Sequence, residues 1–497
     1  MDGQEKSDRS VVPKKRPNKV AGAAAEAVEG RDRGKGNAGQ QNARRTQSRA
    51  SAPNALDRVR EAARRDKKAR FTALLHHVTV ERLRAAFEAL SKQAAPGVDG
   101  VSWEQYREEL EANLRELHGR LHRGAYRAKP SRRAYISKAD GRLRPLGIAA
   151  LEDKVVQRAL AEVLNAIYEE DFLGFSYGFR PRRGQHDALD ALAYGIRWRE
   201  VSWVLDADIR GFFDAIDHEW LLRFVEHRIG DRRVLRLIQK WLRAGVIEEG
   251  RKHVQEEGTP QGATISPLLA NLYLHYVFDL WSHQWRRRRA RNEVIVVRYA
   301  DDFLVGFCNR ADAAQFLAEL RKRLQRFGLE LQPDKTRLIE FGRYAAERRA
   351  RRGQGKPETF DFLGFTHICG RSMDGKHFVL VRRTMRRRMT AKLHAVKVQL
   401  QRRRHAPLDE QGQWLASVVR GHLEYYAVPT NSRAIGVFRG EITKLWRQAL
   451  RRRGSRRGTQ WCHMNRLAKQ WLPPARIQHP WPDERFLVKT RAKSRVR

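Results

Sequence analysis

The sequence predicts an α+β fold in which a small sheet carries acidic residues, and three observations predict it. Apolar residues recur at helical spacing over long stretches on both sides of the middle of the chain. Between them lie short apolar runs of strand length, at 201–209 and in two halves at 293–307. Three aspartates, Asp208, Asp301 and Asp302, stand at the ends of those runs. The 497 residues are 41% hydrophobic, enough for a sizeable core. Lys and Arg total 100 against 57 Asp and Glu, a formal charge of +43. Such a surplus repels itself unless a polyanion is nearby, so nucleic acid is the expected partner. Only Cys308, Cys369 and Cys462 are present, which excludes a disulfide framework and any Cys-based zinc module. No apolar run approaches a membrane span, and acids at positions 2, 5 and 8 argue against a transit peptide. A soluble protein of a reducing compartment is expected.

Each element can be justified in order. Residues 1–55 hold twelve Lys/Arg and six Asp/Glu, and nothing before Leu56 could anchor a core. They are expected to be a disordered basic tail, either a nucleic-acid-binding arm or a solubilising one. Helical spacing is clear in Val80, Leu83, Phe87 and Leu90, and Pro96-Gly97 ends it. A second amphipathic stretch at about 102–122 places Leu110, Leu114, Leu117 and Leu121 on one stripe. An extended segment at 132–138 leads to Asp140-Gly141, which predicts a hairpin. Residues 151–171 are helical, with Val155, Val156, Leu160, Val163, Leu164 and Ile167 inward. Strand 201–209 follows, then helical patterns over about 217–243, 266–280 and 311–327, with two strands at 293–307 between the last two. Beyond 380 the composition shifts: residues 381–497 hold 29 Lys/Arg and 6 Asp/Glu. Met385, Met389, Leu393, Val396 and Leu400 form a helical stripe there, and the basic remainder reads as a nucleic-acid face.

The acids carry the sharpest chemistry. Asp208 ends an apolar strand, and Asp301-Asp302 occupy the turn between Val-Ile-Val-Val-Arg-Tyr and Phe-Leu-Val-Gly-Phe. Like charges beside a buried strand raise each other's pKa unless a cation compensates. Two Mg²⁺ ions about 4 Å apart would do so, one activating an attacking hydroxyl and the other holding phosphates. Mg²⁺ takes oxygen ligands, which suits a site without cysteine. Two unrelated surface acids on a turn are the bland alternative. His218 and His275 lie in helical stretches as surface or packing residues, and no zinc site is expected.

Tyr299-Ala300-Asp301-Asp302 resembles the metal-binding hairpin of reverse transcriptases, and Asp208-Ile-Arg-Gly-Phe212-Phe213-Asp214 resembles their first palm motif. Further segments align in order: Lys138-Ala-Asp-Gly-Arg142-Leu-Arg144-Pro145-Leu146, Ser176-Tyr-Gly-Phe-Arg180-Pro181, Gly258-Thr-Pro-Gln261-Gly262, Pro333-Asp334-Lys335-Thr336 and Phe362-Leu363-Gly364-Phe365. With Ala94–Gly100, the Gly421–Tyr426 segment and the Trp471–Pro480 tail, the chain is similar to bacterial group II intron-encoded reverse transcriptase/maturases, class C-like and without an HNH (His-Asn-His) endonuclease domain. The resemblance implies a right-hand polymerase fold. It would comprise the tail (1–55), an N-terminal extension and fingers (56–205), a palm (206–380), a helical thumb or maturase domain (381–458) and a small basic C-terminal DNA-binding region (459–497).

The same resemblance implies site roles. Asp208, Asp301 and Asp302 would be catalytic, and with Ile209 they would ligate two Mg²⁺ ions, Mn²⁺ being a possible substitute. Lys138, Arg144, Phe212, Gln261 and Lys335 would bind the dNTP, with Phe212 clashing with a ribose 2′-OH. Arg180, Tyr299, Leu363 and Gly364 would contact nucleic acid, a structural salt bridge being the alternative for Arg180. The implied function is an RNA-directed DNA polymerase that also binds group II intron RNA as splicing maturase and retrohoming factor. Its partners would be intron RNA, RNA template, DNA primer, dNTPs and target DNA, with no membrane. It would be a monomer or homodimer in a prokaryotic cytoplasm, at the nucleoid. The alternatives are a domesticated enzyme of CRISPR adaptation, phage defence or DNA repair, and an inactive RNA-binding splicing factor. The intact acids argue against the last.

Overall fold

From Ala55 the chain runs through four helices, α1 (Ala55–Arg65), α2 (Val80–Glu88), α3 (Trp103–Glu108) and α4 (Leu110–His122). The computed structural model describes residues 55–137, 143–248, 251–253, 257–259, 262–372, 374–453 and 460–491. The expected tail up to residue 54, the Asp140-Gly141 turn, Lys138, Gln261 and the side chain of Arg144 lie outside the described part. Local chemistry sets the helix starts. Thr79 accepts from the Arg82 N–H ahead of α2, and Ser102 with Gln105 forms a capping box ahead of α3. Leu114, Leu117 and Leu121 of the expected stripe are buried on α4.

A hairpin follows, β1 (Ser131–Ser137) antiparallel to β2 (Leu143–Ile148), with Arg132 opposite Ile148. Helix α5 (Leu151–Tyr168) is buried along most of its length, and α6 (Gln185–Trp198) precedes β3 (Trp203–Ala207). Then come α7 (His218–Glu226), α8 (Arg232–Arg243), β4 (Val246–Glu248) and β5 (Arg251–His253), the last two extending the first hairpin into a sheet of order β2-β1-β4-β5. The expected 217–243 helix is two helices. The break falls where Phe71 N–H donates to the Arg228 carbonyl and Gly230 N–H to the Phe71 carbonyl, and Asp231 restarts the helix as a cap. The next helical stretch is α9 (Ser266–Leu274) and α10 (Leu280–Arg288), joined by a π-helical segment, His275–Asp279.

The central sheet adds β6 (Val294–Tyr299), β7 (Asp302–Phe307) and, after α11 (Arg310–Gln325), β8 (Arg337–Glu340), in the order β6-β7-β3-β8 with every pair antiparallel. Side chains alternate across it. Leu205, Ala207, Val296, Phe303 and Val305 face the large helical core. Val204, Val297, Leu304 and Ile339 face a second core shared with α6. That second core also takes Phe360, Phe362 and Phe365 from a three-stranded sheet, β9 (Phe360–Phe362), β10 (Phe365–Arg371) and β11 (Phe378–Thr384), which follows a short helix α12 (Ala345–Arg351).

The basic C-terminal stretch is helical: α13 (Arg386–Arg402), α14 (Leu408–Tyr426), α15 (Ser432–Arg451), α16 (Trp461–Trp471) and α17 (Pro482–Arg491). Its own core collects Val396, Leu400, Leu415, Leu423, Phe438 and Trp446. Helix α17 leaves that bundle and packs on α6, where Phe486 stacks on Tyr194 at 4.7 Å and Arg197 pairs with Asp483 at 2.6 Å. No helix among the described residues is long and apolar enough to cross a membrane.

Candidate functional site

Strand register brings the acids together. Along β3 and β7, Asp206 stands opposite Leu304 and Ala207 opposite Phe303. Asp208 directly follows the last paired residue of β3 and Asp302 opens β7, so both stand at the same end of this strand pair. Tyr299 pairs with Asp302, so Ala300 and Asp301 form a two-residue turn at the tip of β6–β7. Ala300 takes a φ of 56°, a left-handed conformation uncommon outside glycine.

Buried groups hold this turn. Arg298, fully buried, donates to the Ala300 carbonyl at 2.9 Å, to Asn271 Oδ1 at 2.9 Å and to Ser176 Oγ at 2.7 Å. It also donates to both oxygens of Asp279, at 2.7 and 2.6 Å. Burial pushes the Asp279 carboxyl up, but the Arg298 charge and hydrogen bonds, with His275 at 3.8 Å, hold it below the usual carboxylate range. Asn271 donates in turn to the Gly178 carbonyl at 2.6 Å. The Ser176–Gly178 segment lies along the edge of β6, with Tyr177 N–H donating to the Arg298 carbonyl at 2.8 Å. A Cβ on Gly178 would come within 2.2 Å of the Ala300 nitrogen, so only glycine allows this approach.

On the other side, residues 330–335 are zipped to 208–210. Gln332 N–H donates to the Asp208 carbonyl and Arg210 N–H to the Glu330 carbonyl, each at 2.8 Å. This brings the Lys335 ammonium onto the Asp208 carboxylate. Asp206, on the same face as Asp208, pairs with Arg337 at 3.1 Å. Burial pushes the Asp206 carboxyl up; Arg337 opposes the rise, while Asp361 and Asp208 add to it.

Two more sequence segments meet nearby. Phe212 is buried in the large core, edge-on to Phe213 at 5.5 Å, after a turn at Gly211 with φ of 53°. The Gly258 loop packs on this turn: Thr259 N–H donates to the Phe213 carbonyl at 2.8 Å, and His218 bonds the Gly258 carbonyl. Leu363 and Gly364 form the tight β9–β10 turn, both with positive φ (45° and 84°). Tyr425 Oη donates to the Leu363 carbonyl at 2.7 Å. Burial pushes the Tyr425 phenol well up; the neighbouring Tyr426, Tyr299 and Asp302 add to this and Arg388 opposes it.

Arg180 does not face this site. Its guanidinium is buried and bonded to Glu169 at 2.9 and 3.0 Å and to the Leu173 and Ser176 carbonyls, so the structure matches the ion-pair alternative. Gly178, Arg298 and Tyr425 fell inside segments quoted from the sequence but were given no role, and Asn271 and Asp279 were not named. The available signal was an arginine inside an otherwise apolar strand.

Among the described residues, no three His, Cys, Asp or Glu side chains form a ready metal cage. The donor chemistry still fits a hard divalent cation. Asp208 already takes a cationic partner in Lys335 and stands at the same end of the β3–β7 pair as Asp302. Mg²⁺ is held by one or two carboxylates with waters and substrate phosphates, so a closed protein cage is not required. Ile209 could contribute only its carbonyl oxygen, because its buried side chain has no donor atom.

The reverse transcriptase (RNA-dependent DNA polymerase) family matches residues 136–367. Over 310 residues the chain is 34% identical to Protein YkfC of Escherichia coli strain K12, covering 54% of this chain and 81% of that protein. Over 166 residues it is 40% identical to the group II intron-encoded protein LtrA of Lactococcus lactis subsp. cremoris, covering 33% of this chain and 27% of that one. A third relative, nuclear intron maturase 1, mitochondrial, of Arabidopsis thaliana, is 25% identical over 111 residues, 22% of this chain and 15% of that protein.

Proposed function

This chain belongs to the reverse transcriptase family, the RNA-directed DNA polymerases related to group II intron-encoded proteins, and we propose that it copies RNA into DNA with two magnesium ions and also holds a group II intron RNA as its maturase. In this reading the primer 3′-hydroxyl attacks the α-phosphorus of a dNTP and pyrophosphate leaves. Positioning and charge are the protein's contribution. The divalent ions, Mg²⁺ or Mn²⁺, supply an acidified hydroxyl and neutralisation of the leaving phosphates when bound. Asp208, Asp301 and Asp302 would hold them, with the Ile209 carbonyl.

The remaining roles are those the resemblance implies. Lys335, which bonds Asp208, would hold the triphosphate. Lys138, Arg144 and Gln261 would bind the dNTP with it. Phe212 forms a floor under the sugar. Tyr299 and the Leu363-Gly364 turn support the primer end. The segments 56–205, 206–380 and 381–458 act as fingers, palm and thumb, and 459–497 serves target DNA during retrohoming. Folded intron RNA is gripped through shape and backbone by the basic C-terminal surface.

The observation that supports this reading is the strand pairing that brings Asp208 and Asp302 to the same end of β3 and β7, next to a hairpin turn held by Arg298. Primer extension on an RNA template tests it. Asp301→Asn should lower the rate on the order of 10³-fold, the loss of several kcal/mol of charge stabilisation. Binding of folded RNA should stay within about twofold of the parent. Extension at the parental rate would refute the metal role.

A further inference from the structure

The end of the central sheet away from the carboxylates carries the opposite charge. There Phe341 N–H donates to the Ser202 carbonyl at 3.0 Å, and a Cβ on Gly342 would stand 2.0 Å from the Val201 carbonyl oxygen. From Val201 to Asp208 the strand direction spans about 20 Å. Past Gly342 the chain runs through Arg343 and Tyr344 into α12 and returns through Lys356 to β9. The acids around this segment are already matched: Glu340 with Arg352, Glu347 with Arg371 and Glu358 with Arg349. Arg343, Arg348, Arg351 and Lys356 have no acidic partner among the described residues.

Two large aromatics are open to solvent in the same place, Trp198 at 52% and Tyr344 at 44%. Arg197 lies over the Trp198 ring at 5.0 Å and Arg348 over the Tyr344 ring at 5.7 Å. Arg343 donates to the Arg197 carbonyl at 3.1 Å, which joins the two rings into one patch. Trp198 Nε1 donates to Asp483 of α17 at 3.1 Å, which fixes that ring. Unmatched cations attract a phosphate chain, and exposed rings beside guanidiniums stack unpaired bases. A continuous duplex offers no free base faces to such rings.

We propose that Trp198, Tyr344 and the four cations form a second nucleic-acid site for an unpaired stretch of RNA, on the far side of the sheet from primer and template. The choice of RNA over DNA rests on the polymerase reading; the site itself rests on the patch. The test uses the full chain with its polymerase site filled by a primer–template, a dideoxy-terminated primer and the next dNTP. A short fluorescent oligouridine carrying 4-thiouridine is then titrated by anisotropy at several salt concentrations and cross-linked.

The RNA should bind the filled enzyme and cross-link to residue 198 or 344. Trp198→Ala and Tyr344→Ala should each weaken binding roughly tenfold, whereas Trp198→Phe and Tyr344→Phe should retain it. Replacing Arg343, Arg348, Arg351 and Lys356 by Gln should lower the logarithmic salt slope by about 3, at roughly 0.7 per cation on a single strand. All variants should extend a short primer within twofold of the parent rate. A failure here is therefore distinct from failure of the polymerase reading, which Asp301→Asn examines. No binding to the filled enzyme, binding indifferent to both sets of variants, or equal affinity for a fully paired RNA would overturn the site. Equal affinity for single-stranded DNA would overturn RNA as its ligand.

Discussion

Asp279 and Asp190 are both buried aspartates bonded to buried arginines, one behind the acidic turn and one beneath the C-terminal helix. Asp279 gives both oxygens to a single arginine, Arg298, whose other N–H groups all end on protein atoms. Asp190 divides its oxygens: Arg382 of β11 takes one at 3.2 Å, and Arg485 of α17 takes the other. Arg382 is as buried as its partner, whereas the Arg485 side chain keeps 16% of its surface open. A pair with every bond internal fixes a backbone in one conformation. A carboxylate shared by two arginines can release one and stay paired. The same chemistry thus makes a rigid mount at the acidic turn and a detachable latch at the tail.

The sharpest way to break this comparison is Asp279→Ala, which strands Arg298 in the core. The expected cost is about 3–5 kcal/mol in denaturant unfolding, with primer extension lost even where the variant remains folded. Parental stability would show that Arg298 does not depend on Asp279.

A third buried aspartate sharpens the contrast because no arginine among the described residues bonds it. Among the described residues, Asp153 accepts only from Tyr126 Oη and the Lys129 N–H. Burial pushes its carboxyl up to about 6, against the pull of those hydrogen bonds. A raised carboxyl stabilises the fold fully below its unfolded pKa near 4 and loses that contribution as pH rises through about 6. The loss should reach at most about 2–3 kcal/mol. Melting temperature between pH 4 and 8 should fall less in Asp153→Asn than in the parent; identical slopes would exclude Asp153 as the source.

The smallest expected effect is at the latch. Arg485→Ala leaves Asp190 with Arg382, so global stability should drop only about 1 kcal/mol. Limited proteolysis between α16 and α17 should nonetheless accelerate. Unchanged cleavage would mean that the Tyr194–Phe486 stack and the bonds of Asp483 to Arg197 and Trp198 hold the helix without Arg485.

The sequence showed what is local and periodic. Leucine spacing located α4 and α5, alternating apolar runs located β3, β6 and β7, and the aspartates at their ends marked the site. It did not show the mount behind the turn, because Arg298 meets Asp279, Asn271 and Ser176 across 19 to 122 positions with no periodicity to signal them. Docking of α17 on α6 was hidden for the same reason, since Arg485 and Asp190 are 295 positions apart. A basic tail reads as a nucleic-acid surface, yet part of it, from Asp483 to Phe486, faces protein. Arg180 was open to two readings in sequence, and the ion pair of one of them is present with Glu169, eleven positions back.

The π-helical turn at His275–Asp279 has a consequence for chain length. Such a turn holds a surplus residue relative to an α-helix. Excising one of residues 275–278 would let the helix close as a regular α-helix, its two halves kept near their present phase because the wide turn already absorbs the extra residue. The change would fall on the turn itself, resetting the backbone that carries Asp279 to Arg298 while α9 and α10 kept their apolar faces. A single-codon deletion there should therefore cost the Asp279–Arg298 pair and spare the helix.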